Sequence, residues 1–147
     1  MPLRSLGEST NPPAAIWQLA TRVTETTPVR VTLEMVNLEG TLAPEFEIHF
    51  YRAVQEGMAN ILRHAHATTA RLEIRLEVGQ IRAALRDNGE GFDLAQIAGR
   101  AGLGLAGIRE RMRLIDGRLE VSSRPGPGTC LDMTIPSRLT SNVMSRQ

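Results

Sequence analysis

The sequence predicts an α/β fold, a two-layer sandwich with three helices on one face of a mixed β-sheet. Two periodicities carry that expectation. Apolar residues recur at the three-and-four spacing of an amphipathic helix in the stretches 14–26, 44–65 and 105–116, and they alternate with polar residues, as in half-buried strands, in five others. Turn formers such as Pro28, Gly79 and Pro125-Gly126-Pro127-Gly128 separate these stretches.

Residues 1–13 hold Gly7, Ser9, Thr10, Asn11 and Pro12-Pro13, and read as a linker or frayed end. Ile16, Leu19, Ala20 and Val23 then share one helical face until Pro28 stops the pattern. Val29, Val31, Leu33 and Met35 alternate with Arg30, Thr32 and Glu34 as a strand. After a connection over 38–43, Pro44 suits the first turn of the central helix, whose stripe is Phe50, Ala53, Val54, Gly57, Ile61 and Ala65. Ala70, Leu72, Ile74, Leu76 and Val78 form the clearest strand, and Gly79-Gln80 reads as a two-residue hairpin link. Ile81, Ala83 and Leu85 lie on one face of the next strand, and by period two so does Asp87, so an aspartate ends a core-facing row. Residues 88–91 break that strand, and 92–101 read as a loop leading to Gly102-Leu103-Gly104-Leu105-Ala106-Gly107. The helix that follows should turn Ile108, Met112 and Ile115 inward and Arg109, Arg111 and Arg113 mostly outward. Leu119 and Val121 mark a strand, and Leu131, Met133 and Ile135 a last one closed by Pro136. The polar tail 137–147 is expected to be mobile, leaving one domain over 14–136.

At 147 residues the chain suits a single domain with a core large enough to fold without staples. A formal charge of +1 argues against a dedicated nucleic-acid or membrane-surface binder, so any anion must be held by a local site. Cys130 is the only cysteine, which excludes an internal disulfide and suits a reducing cytoplasm. No apolar run approaches the roughly 20 residues that span a bilayer, and the chain as given is expected to be soluble.

The central helix carries the most informative polar residues. Glu56, Asn60 and Arg63 fall at i, i+4 and i+7, with His64 one step round. A carboxylate or amide at the margin of a core must find a partner, and a magnesium ion with phosphates would supply one, since magnesium takes oxygen ligands and basic heads take phosphate oxygens. A solvated polar face is the alternative, and the helix alone permits either.

The glycine-rich segments are weighed by context. Gly102, Gly104 and Gly107 spell G-x-G-x-x-G, but a dinucleotide turn must leave a buried strand directly, and here a loop over 92–101 intervenes. No Gly-Lys-Ser/Thr triplet completes a P-loop. A calcium loop starting at Asp87 would need glycine and glutamate where Phe92 and Ala98 stand. What remains is a set of backbone amides ahead of a helix N-terminus near Leu105, which suits a polyphosphate. Simple hairpin turns are the alternative for Asp87-Asn88-Gly89 and for Gly126-Pro127-Gly128.

Taken together, Glu56-x-x-x-Asn60-x-x-Arg63-His64-Ala65 resembles the N box, Asp87-Asn88-Gly89-Glu90-Gly91 the G1 box, and Gly102 to Gly107 the G2 box of histidine-kinase ATP-binding domains. These share the Bergerat-type fold with DNA gyrase, the heat-shock ATPase chaperones and the mismatch-repair ATPases. Gly107-Ile108-Arg109-Glu110-Arg111-Met112, Gly117-Arg118-Leu119 and Ser123-Arg124-Pro125-Gly126-Pro127-Gly128-Thr129 are similar to the nitrate-sensor-like subgroup, whose response regulators usually carry LuxR-type DNA-binding domains. The resemblance implies ATP and Mg2+ as cofactors, with Asn60 as metal ligand and Glu56 orienting or activating around it. It implies Arg63 and His64 at the phosphates, and Asp87 accepting from the adenine amino group. Gly89 and Gly91 would leave room for the ring, with Thr129 assisting. Gly102, Leu103, Gly104, Leu105 and Gly107 would belong to a lid that closes and opens around nucleotide.

The family's acceptor histidine sits on a separate dimerisation domain and is followed by an acidic residue. His49, His64 and His66 lack that context, so the chain reads as an excised or truncated catalytic domain that needs an acceptor partner. Two rivals follow from the same boxes: a serine kinase doubling as an anti-sigma-factor binding module, and a degenerate module that only mediates protein contacts.

Overall fold

The computed structural model describes residues 12–38, 40–90, 105–124 and 128–137, with all their side chains except those of Pro12, Pro13, His64, Ala65 and Arg124. In chain order the elements are Pro12–Thr26 (α1), Arg30–Met35 (β1), Pro44–Asn60 (α2) continued by a π-helical turn Ile61–Ala65, Thr69–Glu77 (β2), Gln80–Asp87 (β3), Leu105–Leu114 (α3), Arg118–Arg124 (β4) and Gly128–Pro136 (β5). The strands form one sheet in the order β1-β2-β3-β5-β4. β1 runs parallel to β2 and the other pairings are antiparallel, so the sheet is mixed, as expected.

Period-two alternation decides which face the helices cover. Leu72, Ile74, Ile81, Ala83, Leu85, Leu131, Met133 and Ile135 point into one buried cluster with Ile16 of α1, Phe50, Ala53, Val54 and Met58 of α2, and Ile108 and Met112 of α3. Gly57 lets α2 press onto the sheet: a Cβ there would lie 2.9 Å from Leu85 Cδ2 and 3.1 Å from Leu131 Cδ1. The opposite face is a lattice of charge. The chain has 17 arginines and no lysine, and on this face Arg82 grips Asp132 with two bonds, of 3.0 and 2.6 Å. Arg71, Arg75 and Arg86 converge on Glu73 at 3.0–3.3 Å, and Arg71 also reaches Glu34 at 2.7 Å. Planar guanidinium forks suit such shared carboxylates.

Several boundaries differ from the sequence reading. α1 begins at Pro12, because proline fits the first helical turn, where its missing N–H is not needed. The hairpin link is Val78-Gly79 rather than Gly79-Gln80: Gln80 pairs with Glu77, Gly79 takes the positive φ of +78, and Val78 is 82% exposed instead of ending a buried row. The central helix loosens into a π-helical turn and ends at His66, which adopts a left-handed φ of 52. α3 ends at Leu114 because Asp116 turns left-handed (φ 59) and Gly117 donates back to the Met112 carbonyl at 2.7 Å. Ser137, read as the start of the mobile tail, is fully buried, and its N–H donates to the Gly79 carbonyl at 3.0 Å. No helix among the described residues is long and apolar enough to cross a membrane.

Candidate functional site

The end of β3 supplies the first group. Asp87 completes the buried row of Ile81, Ala83 and Leu85 and is itself half-buried, as the alternation predicts. Its Oδ1 accepts the Gly89 N–H at 2.7 Å, and the carboxylate also accepts the Thr129 N–H. The Asp87-Gly89 bond closes an Asx turn rather than a hairpin. Burial raises the Asp87 pKa above the ordinary carboxylate value, and the two amides oppose that rise only in part. Gly128 holds φ +104, and a Cβ there would lie 2.2 Å from the Asp87 carbonyl oxygen, so the first residue of β5 rests on the last residue of β3 in a way only glycine permits. Thr129 follows, its Oγ1 2.8 Å from Ser123 Oγ. At the ends of β3, β4 and β5 a cleft of about 360 Å³ takes in Asp87, Gly128 and Thr129, and also opens on Arg86, Ser122 and Cys130. Burial pushes the Cys130 thiol above its ordinary value, which disfavours the thiolate.

Asn88 works structurally at this corner. Its Oδ1 accepts the N–H groups of Thr68 and Thr69, both at 2.9 Å, and its Nδ2 donates to Thr68 Oγ1 at 2.9 Å, tying the exit of β3 to the start of β2.

The polar edge of α2 supplies the second group. Arg63 Nη2 donates to Asn60 Oδ1 at 3.4 Å. Glu56 faces α3, where Arg111 Nε meets its Oε1 at 3.4 Å, and a Cβ on Gly107 would lie 3.1 Å from its Oε2. Gly57, next to Glu56, seats α2 over Leu85, two residues before Asp87 on β3. Glu56 is thus brought against Gly107, Asn60 against Arg63, and Asp87 against Gly89 and Thr129. Leu105 opens α3, as predicted. Gly91, Gly102, Leu103 and Gly104, together with the His64 side chain, lie outside the described residues. Arg111, Asn88 and Ser123 were not singled out from sequence; the signal for Arg111 was its position four after Gly107, on the same helical face.

A half-buried carboxylate with spare acceptor capacity suits a hydrogen-bond donor, and a helix edge bearing oxygen donors and an arginine suits a metal-bound anion. The family model described as histidine kinase-, DNA gyrase B-, and HSP90-like ATPase matches residues 45–139. The chain belongs to this family. Sensor kinases are among its relatives: it is 31% identical over 100 residues to the histidine-protein kinase/phosphatase DegS of Bacillus subtilis, covering 67% of this chain and 26% of DegS. It is 33% identical over 125 residues to the sensor histidine kinase MctS of Rhizobium johnstonii, covering 84% of this chain and 27% of MctS. With the oxygen sensor histidine kinase NreB of Staphylococcus carnosus it shares 33% identity over 92 residues, 63% of this chain and 26% of NreB. The domain therefore spans about a quarter of the length of these relatives. Its fold is similar to that of the histidine kinase domain of the Erythrobacter litoralis EL346 blue-light activated kinase, with a TM-score of 0.75 at 19% identity over 92% of this chain and 65% of that one. The ATP-binding domain of PrrB from Mycobacterium tuberculosis gives 0.64 at 22% identity, over 82% and 89%.

Proposed function

We propose that this ATPase domain is the ATP-binding catalytic domain of a cytoplasmic sensor-kinase module, donating the γ-phosphoryl group of ATP to a histidine on a separate dimerisation domain. The observation that carries the reading is the Asp87 carboxylate, held in a half-buried setting by the Gly89 and Thr129 amides. Two amides leave acceptor capacity on the carboxylate, and an adenine amino group fits it as a donor. Thr129 would support that contact, and Gly89 with Gly91 would leave room for the ring.

Asn60 Oδ1 and the Glu56 carboxylate are oxygen donors suited to magnesium. No cluster of three or more His, Cys, Asp or Glu able to hold a metal is found among the described residues. Magnesium shared with phosphates needs no such cage, because it is held by one or two protein oxygens, waters and the phosphates themselves. The bound metal would neutralise charge on the phosphates. Arg63, now resting on Asn60 Oδ1, would turn to the phosphates beside His64, and Gly102, Leu103, Gly104, Leu105 and Gly107 would form the lid. Catalysis then rests on positioning and charge stabilisation rather than on covalent chemistry by the domain.

The partners proposed are the dimerisation and phosphotransfer domain of the parent kinase and a response regulator, one with a LuxR-type DNA-binding domain. The catalytic unit proposed is 14–136, extended to take in Pro12, where α1 begins, and the buried Ser137, with the residues before it as linker and those after it as tail. The sensor-kinase relatives favour this reading over an anti-sigma serine kinase. Calorimetric titration with ATP and ADP tests it: saturable binding that Asp87→Asn weakens is expected, and equal affinity of wild type and variant would remove Asp87 from the base.

A further inference from the structure

The ion pair between Glu56 and Arg111 joins α2 to α3, and the reading of the N-box and G2 motifs gives Arg111 no task. Its side chain is 34% exposed and that of Glu56 39%, so neither is lost in solvent. Gly107, one turn before Arg111, has no side chain to hold Glu56 away, and Glu56 lies along α3 with one carboxylate oxygen toward Gly107 and the other on Arg111. Glu56 thus has one oxygen engaged by a guanidinium and a defined direction, while Asn60 stands one turn on along α2. Arg109 cannot replace Arg111, since its guanidinium is turned to the Leu119 carbonyl at 3.2 Å, and Arg113 is bound to Glu110 at 2.8 Å.

We propose that Arg111 is a positioning residue: it fixes the Glu56 carboxylate at the metal end of the nucleotide site and couples it to the helix that carries the lid glycine Gly107. The inference rests on the ATP and magnesium reading above. If a carboxylate must be aimed to assist around the metal, loss of its guanidinium partner impairs what magnesium adds and leaves adenine recognition alone.

ATP binding by the full chain, measured by calorimetry with and without Mg2+, tests this in wild type, Arg111→Ala, Arg111→Lys, Glu56→Gln and the double variant Glu56→Gln/Arg111→Ala. In Arg111→Ala the magnesium-dependent gain in affinity should shrink about fivefold, the upper end for a partly exposed ion pair. Affinity without Mg2+ should stay within about twofold, and Arg111→Lys should recover part of the loss. In the Glu56→Gln background, Arg111→Ala should add almost nothing, the signature of coupled residues. An equal loss with and without Mg2+, additive effects in the double variant, or an unchanged magnesium response would each overturn the assignment while leaving the ATP reading intact. Failure of the wild-type chain to bind nucleotide would instead defeat the functional reading, and this inference with it.

Discussion

Asp87 combines two opposed demands. Burial favours its protonated form, whereas the Gly89 and Thr129 amides and an adenine amino group all favour the carboxylate. Its folded pKa is raised, so the folded state binds the proton more tightly, and stability falls as pH rises from the ordinary aspartate value through the raised one. Nucleotide should restore what ionisation costs. Affinity for ADP is therefore expected to fall on acidification at a pH above the ordinary aspartate pKa, and Asp87→Asn, which loses a charged acceptor, should weaken binding by about ten- to a hundredfold and flatten that profile. Calorimetry across pH checks both. At the other end, Asn60→Ala should diminish the effect of Mg2+ on ATP affinity and spare affinity measured without the metal; equal losses in both conditions would place Asn60 outside the metal shell.

At the scale of elements, the contact between β5 and β3 has the least tolerance. Gly128→Ala would drive a Cβ into the Asp87 carbonyl at a backbone angle alanine resists, and should cost about 3 kcal/mol, read as a lower denaturation midpoint at unchanged slope. On the charged face of the sheet, the Arg71 hydrogen bond above all, helped by Arg75 and Arg86 against the cost of burial, holds Glu73 down to about 2. A depressed carboxylate stabilises above its unfolded pKa, so this contribution should be lost as pH falls from about 4.5 toward about 2, opposite in sign to Asp87. Glu73→Gln should remove that part of the acid transition, seen by circular dichroism. The alternation of β3 foretold the half-buried position of Asp87, and among the described residues Glu56 and Gly107, drawn from separate boxes, lie against each other. The π-helical turn after Asn60 was not legible, because the same residues satisfy either helical pitch. The hairpin slipped by one because period two marks faces but not which flanking residue pairs. Arg111 reads only as an outward residue of its helix, because helical periodicity cannot see the facing helix that carries Glu56.

For the whole molecule, the prediction that separates a catalytic domain from a complete kinase concerns its histidines. His66 is exposed beside Glu90 at 3.3 Å, and His49 buries an Nδ1 that has no hydrogen-bond partner. Phosphoryl transfer needs an acceptor nitrogen in line and within about 3.5 Å of the phosphorus, which a separate domain must bring. Incubated with radiolabelled ATP, the chain should bind nucleotide yet gain no acid-labile, alkali-stable label until a matched dimerisation domain is added. Strong labelling of the isolated chain would make His49, His64 or His66 an acceptor. The strand order carries one further consequence, for biosynthesis. β5 is inserted between β3 and β4, so Gly89 reaches Asp87 locally while Thr129 arrives only once nearly all the described chain has been made. Until then β3 presents an unpaired edge, a template for pairing with other chains. A ribosome-stalled or proteolysed product ending before Gly128 should therefore self-associate, and nucleotide should not rescue it, since the strand that completes the base-binding corner is the strand it lacks.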